Sequence, residues 1–205
     1  MVEHITARNR AEHLALLRGM HRDRKRIFVD WLGWDVPHTQ DGEADSFDDD
    51  AAEYLVLTAD DGAHLGSVRL LPTEGPHLLR DVFPELCEMP VPVGPRIREI
   101  TRLCVSPDCP SPRRQEVRRR LLTALVEYAL LTGIDSYTLI TDLAFLVRVA
   151  AVGWRCEMLG HPQVAGNGEI GALRVHIDGN TIAELRRTGV YLPSPVRLAT
   201  VGVAA

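Results

Sequence analysis

Two unlike charges, Glu99 and Arg102, stand inside Arg96-Ile-Arg-Glu-Ile-Thr-Arg-Leu-Cys-Val-Ser106, which otherwise has the apolar pattern of a strand. A charge buried without a partner is costly, so side chains placed this way either pair or do chemistry. The stretch reads as the floor of an active site. Arg69 poses the same question in His64–Thr73, where strand alternation puts it on one face with Leu65, Ser67 and Leu71. Upstream lies an acidic run of Asp41, Glu43, Asp45, Asp48, Asp49, Asp50 and Glu53. It is either a solvated loop or a cation site. Trp34 offers a π-rich wall and Asp45 and Asp48 offer carboxylates, a combination suited to an aminated or sulfonium-bearing ligand. Arg24 and Phe28, four residues apart, share a helical face.

These residues need elements to position them. Apolar positions at Leu14, Leu17, Met20, Ile27, Phe28 and Trp31 predict one or two amphipathic helices over 8–32, broken at Gly33. Residues 53–59 and 64–73 read as a hairpin around Asp60-Asp-Gly-Ala63. Residues 78–84 form a short helical turn stopped by Pro84. In the central strand, strict alternation puts Glu99, Thr101 and Leu103 on one face and Arg98, Ile100, Arg102 and Cys104 on the other. Glu99 and Arg102 therefore converge only if the strand is bulged or splayed between them.

A helix over 113–132 follows, its first turns carrying Arg113, Arg114, Arg118, Arg119 and Arg120. Positive charge there opposes the helix dipole, so the placement marks either an anionic partner, such as a phosphopantetheine or an acidic protein, or a generic basic face. Strands at 136–141, 155–160 and 169–177 alternate with helices at 142–152 and 180–187. The tail from about 192 is weakly patterned and expected to be mobile. This order implies a single α/β domain over 1–205, a three-layer α/β/α sandwich around a mixed sheet.

Composition bounds the rest. With 205 residues, 45% hydrophobic and 25% charged, the chain supports one full core. A net charge of −5 argues against a nucleic-acid partner. Cys87, Cys104, Cys109 and Cys156 form no C-x-x-C pair and the eight histidines are scattered, so neither a disulfide framework nor a metal site is indicated. The polar start and the lack of a long apolar run predict no membrane span and a cytoplasmic location. No Walker loop or Gly-x-Ser-x-Gly occurs.

Arg24, Phe28, Trp34, Asp45, Asp48, Gly66-Ser-Val-Arg69-Leu-Leu-Pro-Thr73, Phe83 and Glu99-x-x-Arg102 together resemble the motif set of the acyl-homoserine-lactone synthases, the bacterial autoinducer synthases. The resemblance runs in order from about residue 20 to 106 and is looser beyond. It implies an N-acetyltransferase-like fold and acylation of the amine of S-adenosylmethionine by a fatty acyl thioester, on acyl carrier protein or coenzyme A. Lactonisation would then release methylthioadenosine. Both molecules are substrates, so no resident cofactor is implied. Arg24, Phe28, Trp34, Asp45, Asp48, Arg69 and Phe83 would hold S-adenosylmethionine, Arg69 alternatively serving as a structural partner of the acidic loop. Glu99 would be the general base, with Arg102 beside it. The acyl chain would lie near Ile100, Leu122, Leu125, Leu139, Thr141, Phe145 and Leu146, and Arg113, Arg114, Arg118 and Arg119 would dock the donor. The alternatives are a coenzyme A-dependent N-acetyltransferase, disfavoured because residues 106–120 lack the Gly-rich pyrophosphate loop expected there, and a silent thioester- or S-adenosylmethionine-binding domain.

Overall fold

The computed structural model describes residues 1–165 and 168–199. Among the described residues nine strands form one sheet: β1 (Val2–Ile5), β2 (Glu53–Thr58), β3 (His64–Pro72), β4 (Ile97–Val105), β5 (Ser136–Asp142), β6 (Arg155–Met158), β7 (Gln163–Ala165), β8 (Gly168–His176) and β9 (Val196–Arg197). Their order is β6-β8-β5-β4-β3-β2-β1-β9, with β7 paired to β8. β4 runs parallel to β5 and β1 to β9, and the other pairs are antiparallel. The sheet is mixed, as expected.

Helices α1 (Leu14–Arg24) and α2 (Leu78–Asp81) cover one face. On the other lie α3 (Ser111–Thr132), α4 (Leu143–Ala150) and α5 (Thr181–Arg187). The larger core lies under α3, where Val117, Leu121, Ala124, Leu125 and Tyr128 meet Leu55, Leu57, Val68, Leu70, Ile100 and Leu139. Gly66 allows the helix to approach: a Cβ there would stand 2.8 Å from Val117 Cγ1 and 3.0 Å from the Cys104 carbonyl oxygen. α3 stops at Gly133, which is left-handed at φ 75°. Asp142 caps α4 by accepting a hydrogen bond from Phe145 N at 2.7 Å.

Two irregularities shape the centre. β4 and β5 pair only from Ile97–Ser136 to Ile100–Leu139, after which Thr101–Val105 stays with β3 while Ile140–Asp142 stays with β8. The sheet is thus split like a V beyond Ile100. β4 also carries an extra residue: Arg69 pairs with Thr101 but Ser67 with Cys104, and Arg102 has φ 51°. The bulge puts Glu99, Thr101, Arg102 and Cys104 on the α1 face and turns Leu103 toward the α3 core. Strict alternation, with Arg102 and Cys104 opposite Glu99, is thereby corrected, and the bulge that convergence required is present.

The tail is also corrected where it is described. β9 pairs with β1, and Leu192 N donates to Thr123 Oγ1 at 3.0 Å; residues 200–205 lie outside the described residues. Among the described residues, no helix is long and apolar enough to cross a membrane.

Candidate active site

α1 continues directly into a wider π-type coil, Lys25–Trp31, closed by Leu32 N donating to Ile27 O at 2.9 Å. Such insertions change which residues share a face. Gly33 then turns left-handed at φ 67°, and Trp34 N returns to Phe28 O at 2.8 Å. The result is a stacked pair, Phe28 and Trp34, with ring centroids 4.7 Å apart and planes 19° from parallel. The Arg102 guanidinium lies 5.6 Å from the Phe28 centroid and 5.8 Å from that of Trp34, within cation–π range.

The acidic loop is clamped against α1. Glu43 N donates to His21 O at 3.0 Å, and the His21 ring meets Glu43 O at 2.8 Å. Glycine at position 42 lets the loop come this close: a Cβ there would stand 3.0 Å from His21 Cβ and 3.1 Å from its carbonyl carbon, tight enough to push the two apart. The clamp feeds three carboxylates to three arginines. Arg24 donates to Glu43 at 2.6 Å and to both Asp48 oxygens at 2.7 and 2.8 Å. Arg69 holds Asp45 at 2.6 and 3.1 Å and reaches Asp48 at 2.8 Å and Thr101 Oγ1 at 2.9 Å. Arg102 reaches Glu43 at 3.0 and 3.1 Å and Asp45 at 2.7 Å.

All six side chains are buried and their charges cancel, so each finds the partner that burial demands. Asp48 is held well below the usual carboxylate range: burial pushes it up, but Arg24 and Arg69 overcome that. Tyr54 also donates to it, at 2.7 Å. Asp45 is the member nearest solvent, its side chain 9% exposed, followed by Arg102 and Asp48 at 6% each.

Glu99 stands apart from this network, 1% exposed, in a cradle at the start of α2. Leu78 N donates to one oxygen at 2.8 Å and Leu79 N to the other at 2.7 Å. Burial pushes its carboxyl up to about 7, with the two N–H bonds and Arg69 pulling against it and Asp81 adding to it. Thr138 is its register neighbour across the parallel pair, and the fully buried Thr138 hydroxyl has no hydrogen-bond partner among the described residues. A carboxyl poised near neutrality, at the point where the sheet splits, can take a proton from an amine. Beyond it, β4 N–H groups released from β5 face the gap and can meet a developing oxyanion.

The autoinducer synthase family model matches residues 8–185. The chain belongs to the autoinducer synthase family. An acyl-homoserine-lactone synthase of Agrobacterium fabrum is 30% identical over 197 residues, 93% of each chain. Among solved structures, BjaI, a CoA-dependent acyl-homoserine lactone synthase solved with SAM and isopentyl-CoA, superimposes with a TM-score of 0.87 at 30% identity. That match covers 97% of this chain and 93% of BjaI. A putative N-acetyltransferase from Lactobacillus plantarum shares the fold more distantly, with a TM-score of 0.55 at 21% identity over 86% of this chain and 99% of that one.

Within this autoinducer synthase the structure gathers Arg24, Phe28, Trp34, Asp45, Asp48, Arg69 and Arg102 in one place. Several expectations change. Phe83 is not part of the arginine network; it packs with Leu79, Leu86, Ala172 and Ile140, where α2 covers the sheet. The threonine beside Glu99 is Thr138. Thr141 lies three residues on and is displaced to the opposite face by alternation. Ile100, Leu125 and Leu139 belong to the closed core, with Leu122, Phe145 and Leu146 packed on it and partly buried.

The arginines of α3 are mostly engaged. Arg114 donates to Cys109 O at 3.0 Å and Pro107 O at 2.9 Å, Arg119 to Val190 O at 3.3 Å, and Arg120 to Glu116 at 2.9 Å and Ser194 at 2.9 Å. Only Arg113 and Arg118 of the five face solvent. Sequence reasoning also missed Glu43 as a joint of the network and the Leu78–Leu79 cradle. Glu43 looked like any other residue of an acidic run, and the cradle is made of backbone.

Proposed function

We propose that this chain is an acyl-homoserine-lactone synthase that transfers an acyl group from a coenzyme A thioester to S-adenosylmethionine. The observation that carries the reading is Glu99, a buried carboxyl lifted to about 7 and seated on two backbone N–H groups where β4 parts from β5. In the first step Glu99 takes the proton of the substrate amine, the nitrogen bonds to the thioester carbon, and the carbon–sulfur bond breaks to release a thiolate. In the second, the methionyl carboxylate attacks the γ-carbon and the carbon–sulfonium bond breaks. Neutral methylthioadenosine leaves, and positioning supplies most of what this step needs. The atoms of the two substrates balance both steps, so the reading includes no resident cofactor.

The cationic substrate would rest on the Phe28–Trp34 stack, with Arg102, which lies against that stack, and its partner Asp45 meeting its methionyl end. Arg24, Arg69, Glu43 and Asp48 act beneath them as a rigid support. The donor arm would enter a cavity of about 430 Å³ lined by Ile27, Trp31, Val105, Pro107, Arg26 and Arg114, at the open end of the split. Two observations favour coenzyme A over a carrier protein. BjaI, which the fold follows closely, is CoA-dependent. Arg114, Arg119 and Arg120 are also spent on internal bonds, leaving little basic surface at α3 for an acidic protein.

The test is to incubate the purified protein with S-adenosylmethionine and matched panels of coenzyme A and acyl carrier protein thioesters. Methylthioadenosine is followed and the lactone identified by mass spectrometry. Release dependent on an acyl-coenzyme A supports the reading; turnover with the carrier thioesters alone would move the donor assignment, and intact S-adenosylmethionine under every condition would end it.

A further inference from the structure

A second chain of buried polar groups runs behind the aromatic stack and has no part in the chemistry above. His64 Nδ1 lies 2.8 Å from Asp23 Oδ2, its Nε2 lies 3.0 Å from Ser67 Oγ, and that hydroxyl lies 3.5 Å from Cys104 Sγ. Asp23 is on α1, His64 and Ser67 on β3, and Cys104 on β4 beyond the bulge. A carboxylate, an imidazole and a hydroxyl in this order resemble a nucleophilic triad. Ser67 is only 1% exposed, however, so its oxygen cannot meet a thioester. The groups must act through what they hold.

Both ends of the chain finish at the substrate wall. Cys104 packs directly against Ile27 and Phe28 and follows the left-handed Arg102 by two residues. Asp23 lies five residues before Phe28. It also pairs with Arg26 at 3.2 Å, and Arg26, which lines the donor cavity, reaches Asp108 at 2.8 Å. We infer that Asp23, His64 and Ser67 are positioning residues that fix the Phe28 wall against the bulged strand and so set the affinity for the sulfonium substrate. The inference rests on the proposed function.

Direction of the hydrogen bonds gives the relay its character. Burial alone would push the imidazole toward neutrality, but Asp23 and Cys104 outweigh it and hold His64 up at about 9. The groups facing it are Asp23 from α1, with Arg26 behind that carboxylate, and Ser67 and Cys104 from the sheet. As imidazolium, His64 donates to both Asp23 and Ser67, which frees the Ser67 hydrogen for the Cys104 sulfur. Neutral imidazole bonded to Asp23 through Nδ1–H can only accept at Nε2. Ser67 must then turn its hydrogen back, and the link to Cys104 survives only as the weaker bond in which the thiol donates.

The experiment compares wild type, His64→Leu, His64→Gln and Ser67→Ala in methylthioadenosine release and in equilibrium binding of S-adenosylmethionine. For His64→Leu, Kd and KM for S-adenosylmethionine should rise about tenfold, the scale of losing one charge-assisted bond, while KM for the thioester and kcat change less than about threefold. Ser67→Ala should move the same constants in the same direction. His64→Gln, which keeps one donor, should recover most of the loss near neutral pH. Wild-type affinity should weaken as pH passes through about 9, and His64→Gln should lack that step.

A wild type that releases no methylthioadenosine overturns the proposed function. An active wild type whose S-adenosylmethionine affinity is the same in His64→Leu, or in which both KM values rise together, overturns the relay alone. Should His64→Leu not fold, the wild-type and His64→Gln pH profiles decide, and identical profiles refute the inference.

Discussion

Replacing Glu99 by glutamine separates a catalytic carboxyl from a structural one. With its carboxyl at about 7, the wild-type base is about nine-tenths ionised at pH 8 and about one-tenth at pH 6, so kcat/KM should fall about tenfold between them. Glutamine cannot take the proton, and turnover should drop about 10²–10⁴-fold, the usual worth of a positioned base. The stability effect has two parts of opposite sign. The amide can accept from only one of Leu78 N and Leu79 N, which now bond to separate oxygens; an N–H left without an acceptor costs about 1–3 kcal/mol. Against this, the folded-state pKa of Glu99 is raised from 4.5 to about 7. Its contribution is therefore complete below about 4.5 and lost as pH rises through about 7, a change on the order of 3 kcal/mol. Glutamine is spared that loss. The variant should melt close to wild type at pH 8 and clearly below it at pH 5. Methylthioadenosine release at subsaturating and at saturating substrates, and thermal melts, at both pH values make the comparison. A glutamine variant with more than about a third of wild-type turnover, or a flat wild-type profile between pH 6 and 8, would remove Glu99 as the base.

Arg24→Ala leaves Glu43 to Arg102 and Asp48 to Arg69 and Tyr54, with one buried negative charge in excess, and should destabilise the fold by about 3–5 kcal/mol, measured by urea unfolding; an unchanged midpoint would show that the network is dispensable. Thr138→Val removes a buried hydroxyl without a partner among the described residues and should stabilise by about 1 kcal/mol while slowing turnover, because its value lies in contacts made beside Glu99 only during the reaction. Equal turnover would make the hydroxyl incidental. His64, raised from 6.5 to about 9, stabilises fully below about 6.5 and loses that contribution as pH rises through about 9. The wild-type melting temperature should fall over that window, and that of His64→Gln should fall less.

The regular elements were legible because their periods were. The hairpin, the central strand and α3 came out within two residues of their ends. β1 did not, because Glu3 and His4 hide a strand that is buried throughout; both are satisfied by residues far along the chain, His4 by Glu53 at 3.2 Å and Glu3 by Arg197 at 3.4 Å. β7 and β9, of three and two residues, are strands only because a neighbour pairs with them. The charges of the site were legible as anomalies, but their partners were not. Helix-dipole reasoning marked the arginines of α3 as misplaced, which pointed to an external anion. Arg114 instead closes on carbonyls of its own entry loop and Arg119 on one 71 residues away. Nothing in Thr101-Arg-Leu-Cys104 announces a bulge, since Arg102 is not a residue that favours positive φ.

That bulge is explained by the acidic loop. A left-handed non-glycine residue costs about 1–3 kcal/mol and persists only where its surroundings impose it. Arg102 makes bonds to Glu43 at 3.0 and 3.1 Å and to Asp45 at 2.7 Å. Charge-assisted bonds of this kind are worth about 1.5–3 kcal/mol each, enough to offset the backbone strain. None would form if β4 kept its alternation, because Arg102 would then point into the apolar core beneath α3. The loop is in turn held by Arg24 and Arg69, from α1 and β3. The three motif arginines therefore do different work: two anchor the carboxylates, and the carboxylates draw the third across the sheet to the face that carries Glu99. A substrate cation resting on Phe28 and Trp34 meets a surface already shaped, which is how a neutral, internally paired network favours a charged ligand without keeping a free charge waiting for it.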